Sequence, residues 1–291
     1  MPSQETEKIA ISASRRTDLV AFFPQVLADA LQKEEIAGTG PSGHPFHIDL
    51  SPVNVHTIVL WSKNFANLIS DRFGLRRLLE KYGRPYLHFT ITGLGGSFIE
   101  KGVPPPGEVL DQLKSLIEIT GSPGRISVRF DPILYWKEGA ETRTNLHFFE
   151  EMAPVLSRFS IKDVRFSFAQ WYNKAKKRAA NAGWNYLDPP TGQKLELARS
   201  LLETARRWNL AIHVCGQDFV TAVEGIGLSS CIDGRLLQTL HPENAPLSLR
   251  KDKSQRKECR CTESRDIGSY SFACPHQCLY CYANPRISYR P

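Results

Sequence analysis

No stretch of this chain approaches the run of roughly 18 apolar residues that a membrane-spanning helix needs. The opening MPSQETEKIAIS has neither the basic start nor the apolar segment that directs secretion. A cytoplasmic protein with no membrane partner is therefore expected. No low-complexity linker interrupts the chain before about residue 215, so residues 1–215 should fold around one core. A glycine loop ending in GK[ST] is missing, and so is a complete GxGxxG. The glycines of TITGLGG (90–96) come nearest, and they suit a close backbone approach to a cofactor better than a phosphate cradle. Disulfides are not needed either: a 291-residue chain buries enough core without them, and the cytoplasm is reducing. The seven cysteines point instead to metal binding.

Short β-branched and aromatic runs alternate with amphipathic stretches from one end to the other. The strands expected are IAISAS (9–14), TIVLWS (57–62), YLHFTIT (86–92), RISVRF (125–130), DVRFSF (163–168) and LAIHV (210–214). Helices between them predict six β-α units on a parallel sheet. TGQKLELARSLLETARRWN shows the helical period best, with Leu195, Ala198, Leu201, Leu202, Ala205 and Trp208 on one stripe. Gly83, Gly121 and Asn209 fall where helices should end. The segment from Gly38 to Val55, rich in Gly, Pro and His, reads as a loop or small hairpin. The expected fold class is α/β, a partial (β/α)6 TIM-type barrel over residues 1–215, followed by a cysteine-rich, cluster-binding extension over 216–291 packed on the barrel mouth.

Polar groups recur after the strands: Arg15, Arg16 and Asp18, then Lys63 and Asn64, Thr92, Asp131, Gln170, and Cys215 with Gln217. In β/α barrels the carboxyl ends of the strands form the active-site face, so these groups should converge on one bowl. Asp131, Lys63 and Arg16 are the catalytic candidates. Pro132 should end the fourth strand and hold Asp131 at the rim. Arg15 and Arg16 suit a carboxylate or phosphate, which guanidinium binds in bidentate fashion. His88 and His213 fall within strand patterns and read as core histidines.

Three cysteines lie in ACPHQCLYCYAN (273–284), in a C-x3-C-x2-C spacing. With seven cysteines in 291 residues, such a triplet arises in only about 0.4% of shuffled sequences. Three thiolates so close can hold three corners of a cubane cluster and leave one iron open to a substrate or cofactor. Cys215, Cys231, Cys259 and Cys261 remain, and four thiolates are a full ligand set for an auxiliary [4Fe-4S] cluster. The competing metal is zinc, for which Cys278 and Cys281 would pair with Cys259 and Cys261, or with Cys274 and His276. His276 itself is expected to face solvent or to hydrogen-bond a cluster sulfur.

CPHQCLYC, with Tyr280 just before the third cysteine, resembles the motif of the radical S-adenosylmethionine superfamily. That resemblance implies a [4Fe-4S] cluster on Cys274, Cys278 and Cys281, with S-adenosylmethionine on the fourth iron. It further implies reductive cleavage to a 5'-deoxyadenosyl radical, an electron donor such as ferredoxin or flavodoxin, and a substrate that it leaves unnamed. Arg15, Arg16, Asp18, Thr92, Gly93, Asp131 and Tyr280 are then the cofactor-binding candidates. Superfamily members usually carry the motif after the first strand, whereas here it follows the sixth unit. DKSQRKECRCTESRDIGSYSFACPHQCLYCYAN, ISASRRTD and RFDPIL together resemble the uncharacterised family called domain of unknown function 1848, over nearly the whole chain. A second reading starts from the net charge of +7: a non-catalytic or repair-associated iron–sulfur or zinc protein, binding nucleic acid through RRLLEKYGR, NKAKKR and RKDKSQRK.

Overall fold

The computed structural model describes residues 7–39 and 44–287. Eight parallel strands form its main sheet: β1 (Ile9–Ala13), β2 (Val55–Ser62), β3 (Tyr86–Thr90), β4 (Ile126–Ile133), β5 (Asp163–Phe168), β6 (Ala211–Val214), β7 (Gly227–Leu228) and β8 (Ser264–Asp266). Their order is β7-β6-β5-β4-β3-β2-β1-β8. All six expected strands are present, and the residues after 215 add the two short edge strands. Among the described residues no ladder joins β7 to β8, so the sheet is not a closed barrel. The two edges nevertheless meet, because Thr262 N donates to Ile232 O at 2.9 Å and the Ser230 hydroxyl to Arg260 O at 2.8 Å.

Besides single turns at Leu19–Phe22 and Ala66–Ile69, the helices of the described residues are α1 (Pro24–Lys33), α2 (Leu75–Glu80), α3 (Pro106–Thr120), α4 (Phe148–Arg158), α5 (Asn173–Asn181), α6 (Thr191–Arg207) and α7 (Gly234–Leu240). On α6, Ala198, Leu201, Leu202 and Ala205 are buried as their spacing requires. The stripe stops short of Trp208, which is 36% exposed. Asn209 takes a left-handed φ of 54° right after it and turns the chain towards β6. Gly83 and Gly121 adopt φ of 73° and 74°, the conformation that ends a helix without a Cβ penalty. Glu35–Thr39 pairs antiparallel with Pro45–Asp49; the expected loop from Gly38 also includes residues 40–43, which lie outside the described residues.

Strand alternation divides the side chains between two faces. Ile58 and Leu60, Leu87 and Phe89, Val128 and Phe130, Val164 and Phe166, and Ile212 and Val214 share the main apolar core with Leu31, Leu113, Met152 and Leu201 of the helices. Truncating one such Leu to Ala costs about 2–5 kcal/mol. The intervening positions face the other way and carry Trp61, His88, Ser127, Arg129, Asp131, Arg165 and His213. A smaller cluster covers that face, in which Ala10, Val59 and Tyr86 meet Cys231, Ile232, Leu237, Leu247 and Cys261. Burying arginine there requires partners, and those partners define the site.

Candidate functional site

The cysteine loop reaches the carboxyl ends of the strands by docking on the segment after β3. Gly102 N donates to His276 O at 3.0 Å and Leu279 N to Ile99 O at 3.1 Å, with Glu100 bridged antiparallel to Cys278. Gly102 allows this contact: a Cβ there would lie 2.2 Å from Pro275 O. Across the loop Cys274 N donates to Asn284 O at 3.0 Å, and Arg286 N to Cys274 O at 2.8 Å. Ala283 N donates to Cys281 Sγ at 3.4 Å.

Asp18, Lys63 and Glu100 lie beneath the loop and meet His276 and Tyr280, which belong to it. Asp18 accepts from Ala21 N at 2.9 Å, from the Ser62 hydroxyl at 2.8 Å, from Lys63 N at 3.0 Å and from His276 Nε2 at 2.7 Å. His276 Nδ1 lies 3.1 Å from Gly102 O, so both its ring nitrogens face acceptors. His276 is therefore neither solvent-facing nor bound to sulfur. Its Asp18 contact is 97% buried on the histidine side, because the segments after β1 and β3 close over it. Lys63 Nζ donates to Glu100 Oε1 at 2.9 Å, and the Tyr280 hydroxyl donates to the same oxygen. The other oxygen, Glu100 Oε2, is buried with no hydrogen-bond partner.

The electrostatics follow from this burial. Desolvation pushes the Cys274 thiol up to about 12 and raises Cys278 and Cys281 as well. Cys278 also feels the charge of Cys281 and Cys274, and Cys274 that of Cys281. Burial would lower the Lys63 ammonium, but Glu100 and Cys278 outweigh it and hold it above its ordinary value. The pocket thus sets the Lys63 cation, with Arg178 acting on Cys281, beside three thiols that resist ionisation without a metal or further positive charge.

The other four cysteines gather at the covered face of the sheet. Cys215 and Cys231 Sγ are 3.7 Å apart, and Cys261 hydrogen-bonds to both Cys231 and Cys259. Arg129 Nη1 donates to Cys231 Sγ at 2.8 Å, while Nη2 pairs with Asp131. The thiols of Cys215 and Cys261, followed by the Arg129 cation, hold Cys231 well below its ordinary range. Cys259 falls to about 6 through its bond with Cys261. Arg129 and Arg15 lie over the Trp61 ring at 5.2 and 5.3 Å, and Trp61 stacks on His88 at 4.1 Å. His88 Nε2 donates to Cys231 O at 2.6 Å. Among the described residues, no three His, Cys, Asp or Glu side chains converge closely enough to hold a metal ion as they stand.

Lys63, Asp18 and Tyr280 thus meet at the cysteine loop, and Asp131 and Arg15 lie by the second cysteine group. Arg16 turns away, donating to Gly268 O at 2.9 Å with its cation over Tyr270 at 5.8 Å. Thr92 O accepts from Asn145 Nδ2 at 3.0 Å. At Gly93 a Cβ would come within 2.4 Å of Phe148, so the close approach there is to a core ring. Gln217 bonds both backbone groups of Phe168, at 2.8 and 3.0 Å, and serves the strand end. Asp131 lies within β4, which continues to Ile133 past an irregularity in its pairing with β5. Pro132 interrupts that ladder without ending the strand, because it lacks only the donor of one bond. His213 pairs with Asp163 at 3.0 Å.

Glu100, Arg129 and Trp61 were not identified as site residues from sequence, and neither was the pairing of Asp18 with His276. Alternation in RISVRF and TIVLWS marks Arg129 and Trp61 as opposite in face to their apolar neighbours. Nothing in SFIEKG singles out Glu100. A family model described as a domain of unknown function, DUF1848, matches residues 10–283. The chain belongs to the DUF1848 family. No curated protein and no solved structure matches it. The DUF1848 match spans both cysteine groups and every strand of the sheet, so one family unit includes the whole arrangement.

Proposed function

We propose that this protein is a radical S-adenosylmethionine-type iron–sulfur enzyme built on a partial β/α barrel. In this reading Cys274, Cys278 and Cys281 hold an open-iron [4Fe-4S] cluster, and Cys215, Cys231, Cys259 and Cys261 hold an auxiliary one. The observation that carries it is the docking of a three-thiol loop over the strand ends, with Glu100 buried beneath and bonded to Lys63 and to Tyr280 of the loop. The donor set fits: three thiols near enough to feel one another, a backbone N–H on Cys281 Sγ, and a buried cation suit an anionic thiolate-ligated group. The unpartnered Glu100 Oε2 leaves a buried acceptor for a ligand's donor. A cluster and S-adenosylmethionine bound there would supply a one-electron cleavage and a radical able to abstract hydrogen from substrate.

In this scheme the chain's own residues keep the pocket in place and balance its charge. Asp18 and His276 tie the loop to the first strand end. Lys63 offsets thiolate charge, and Glu100 orients Lys63 and Tyr280. Arg129 provides the matching cation at the second group, with Asp131 alongside. A ferredoxin or flavodoxin is the expected electron donor.

The test is anaerobic reconstitution with iron and sulfide, followed by electron paramagnetic resonance of the reduced protein with and without S-adenosylmethionine. A brown protein, a signal that changes with the cofactor, and release of 5'-deoxyadenosine are expected. A colourless protein that takes up only zinc would overturn the proposal.

A further inference from the structure

We propose that the mouth of the bowl binds single-stranded nucleic acid, its phosphates on a basic rim and its bases against Tyr172 and Tyr282. Three segments distant in sequence meet there. Tyr172 follows the carboxyl end of β5 and begins α5; Tyr282 belongs to the cysteine loop; residues 250–260 run just before β8. The Tyr172 and Tyr282 rings are 6.4 Å apart and are 42% and 52% exposed. Arg256 Nη1 donates to the Tyr172 hydroxyl at 3.0 Å, which joins the basic segment to the aromatic pair. Lys174 Nζ donates to Asn284 Oδ1 at 3.3 Å, which joins α5 to the cysteine loop.

The charge balance favours a polyanion. Arg260 is paired with Asp218 and Arg250 with Glu263. Exposed Lys253, Lys257, Lys176 and Lys177 have no carboxylate partner among the described residues, and Glu258 is the one acid exposed in the 250–260 run. The aromatic faces favour nucleic acid over an acidic protein, since every base has a π-face to stack and a carboxylate has none. Two of the three basic stretches noted in sequence lie at this mouth. The third does not: Arg76 and Arg77 belong to α2, just before Gly83 and the amino end of β3.

Used to name the substrate class, this inference rests on the radical-enzyme reading. As a binding surface it stands without it. Binding to full-length protein with no 5'-deoxyadenosine release would therefore sink the earlier reading and leave this one in place.

Anisotropy of a fluorescein-labelled oligonucleotide of about 12 nucleotides, in DNA and RNA arms, measures the affinity. The two arms show which nucleic acid is preferred. With about four phosphates engaged, raising salt from roughly 50 to 200 mM should weaken binding about 50-fold. Tyr172→Ala should weaken it by roughly 5- to 150-fold, the range of one base–aromatic stack. Lys253→Glu with Lys257→Glu should weaken it strongly, whereas Arg77→Glu should not. Binding absent at low salt overturns the proposal. So does equal loss from Arg77→Glu and Lys253→Glu, or full affinity in Tyr172→Ala, since either result leaves only non-specific attraction to net charge.

Discussion

Gly102→Ala should undock the cysteine loop while leaving the sheet folded. A Cβ at this position would lie 2.2 Å from Pro275 O and 2.9 Å from the His276 Cα. Both are backbone atoms, so no side-chain rotation relieves the clash, and the loop must retreat by roughly 1 Å to restore ordinary contact. Such a retreat stretches the bond from Gly102 N to His276 O and its neighbour from Leu279 N to Ile99 O, now 3.0 and 3.1 Å. It also separates His276 Nδ1 from Gly102 O. At about 1 kcal/mol for each bond, docking weakens by roughly 2–3 kcal/mol, some 30- to 150-fold in the open population. Hydrogen exchange of residues 274–283 reads that population directly, without metal or activity. Gly107→Ala is the control, because nothing lies within 4 Å of a Cβ there and alanine suits the first turn of α3. Unchanged protection of 274–283 in Gly102→Ala would refute the docking argument. Slowed exchange would do so as well.

Three further outcomes are expected. His56 is fully buried; its Nε2 donates to Ala245 O at 3.0 Å, and desolvation, with His241, Lys8 and Arg125 nearby, lowers it from 6.5 to about 4. The unfolded chain therefore takes up the proton first, so stability is full above pH 6.5 and falls by roughly 3 kcal/mol as the pH drops through 4. Urea unfolding across that range should show the slope, and His56→Gln should make it shallower, the remainder coming from His88, which desolvation also lowers. Asp18→Asn places an amide where four donors converge and should cost roughly 2–4 kcal/mol in urea unfolding; a loss under 1 kcal/mol would contradict the network. If the second cysteine group holds a cluster, Arg129→Gln removes a charged donor from Cys231 Sγ and should lower that centre's reduction potential by an amount on the order of tens of millivolts. An unshifted potential with full iron content would show that the guanidinium does not act on it.

Periodicity made the six strands and the α6 stripe readable, because both arise within a few residues of chain. The two edge strands escaped it. Gly227–Leu228 has two residues and Ser264–Asp266 has three, too few for alternation to be visible. The cysteine spacing marked the loop, yet it carried no information on what the loop would dock against. Gly93 illustrates the limit in another way: a glycine needed for close approach is evident in sequence, but its partner, Phe148, is 55 positions away.

The sequence by itself determined the strand and helix succession, the helix ends at Gly121 and Asn209, the turn at Gly83 after α2, and the grouping of thiols into a triplet and a residual four. These depend on side-chain period, backbone freedom and spacing, all of which are local. Only the tertiary structure decided that His276 would be buried on Asp18, 258 positions earlier, that Glu100 would hold Lys63 and Tyr280, and that Arg129 would serve Cys231. Each of those contacts compensates a charge or polar group buried by packing. What must be compensated is known only once the sheet, the loop after β3 and the cysteine loop have closed on one another.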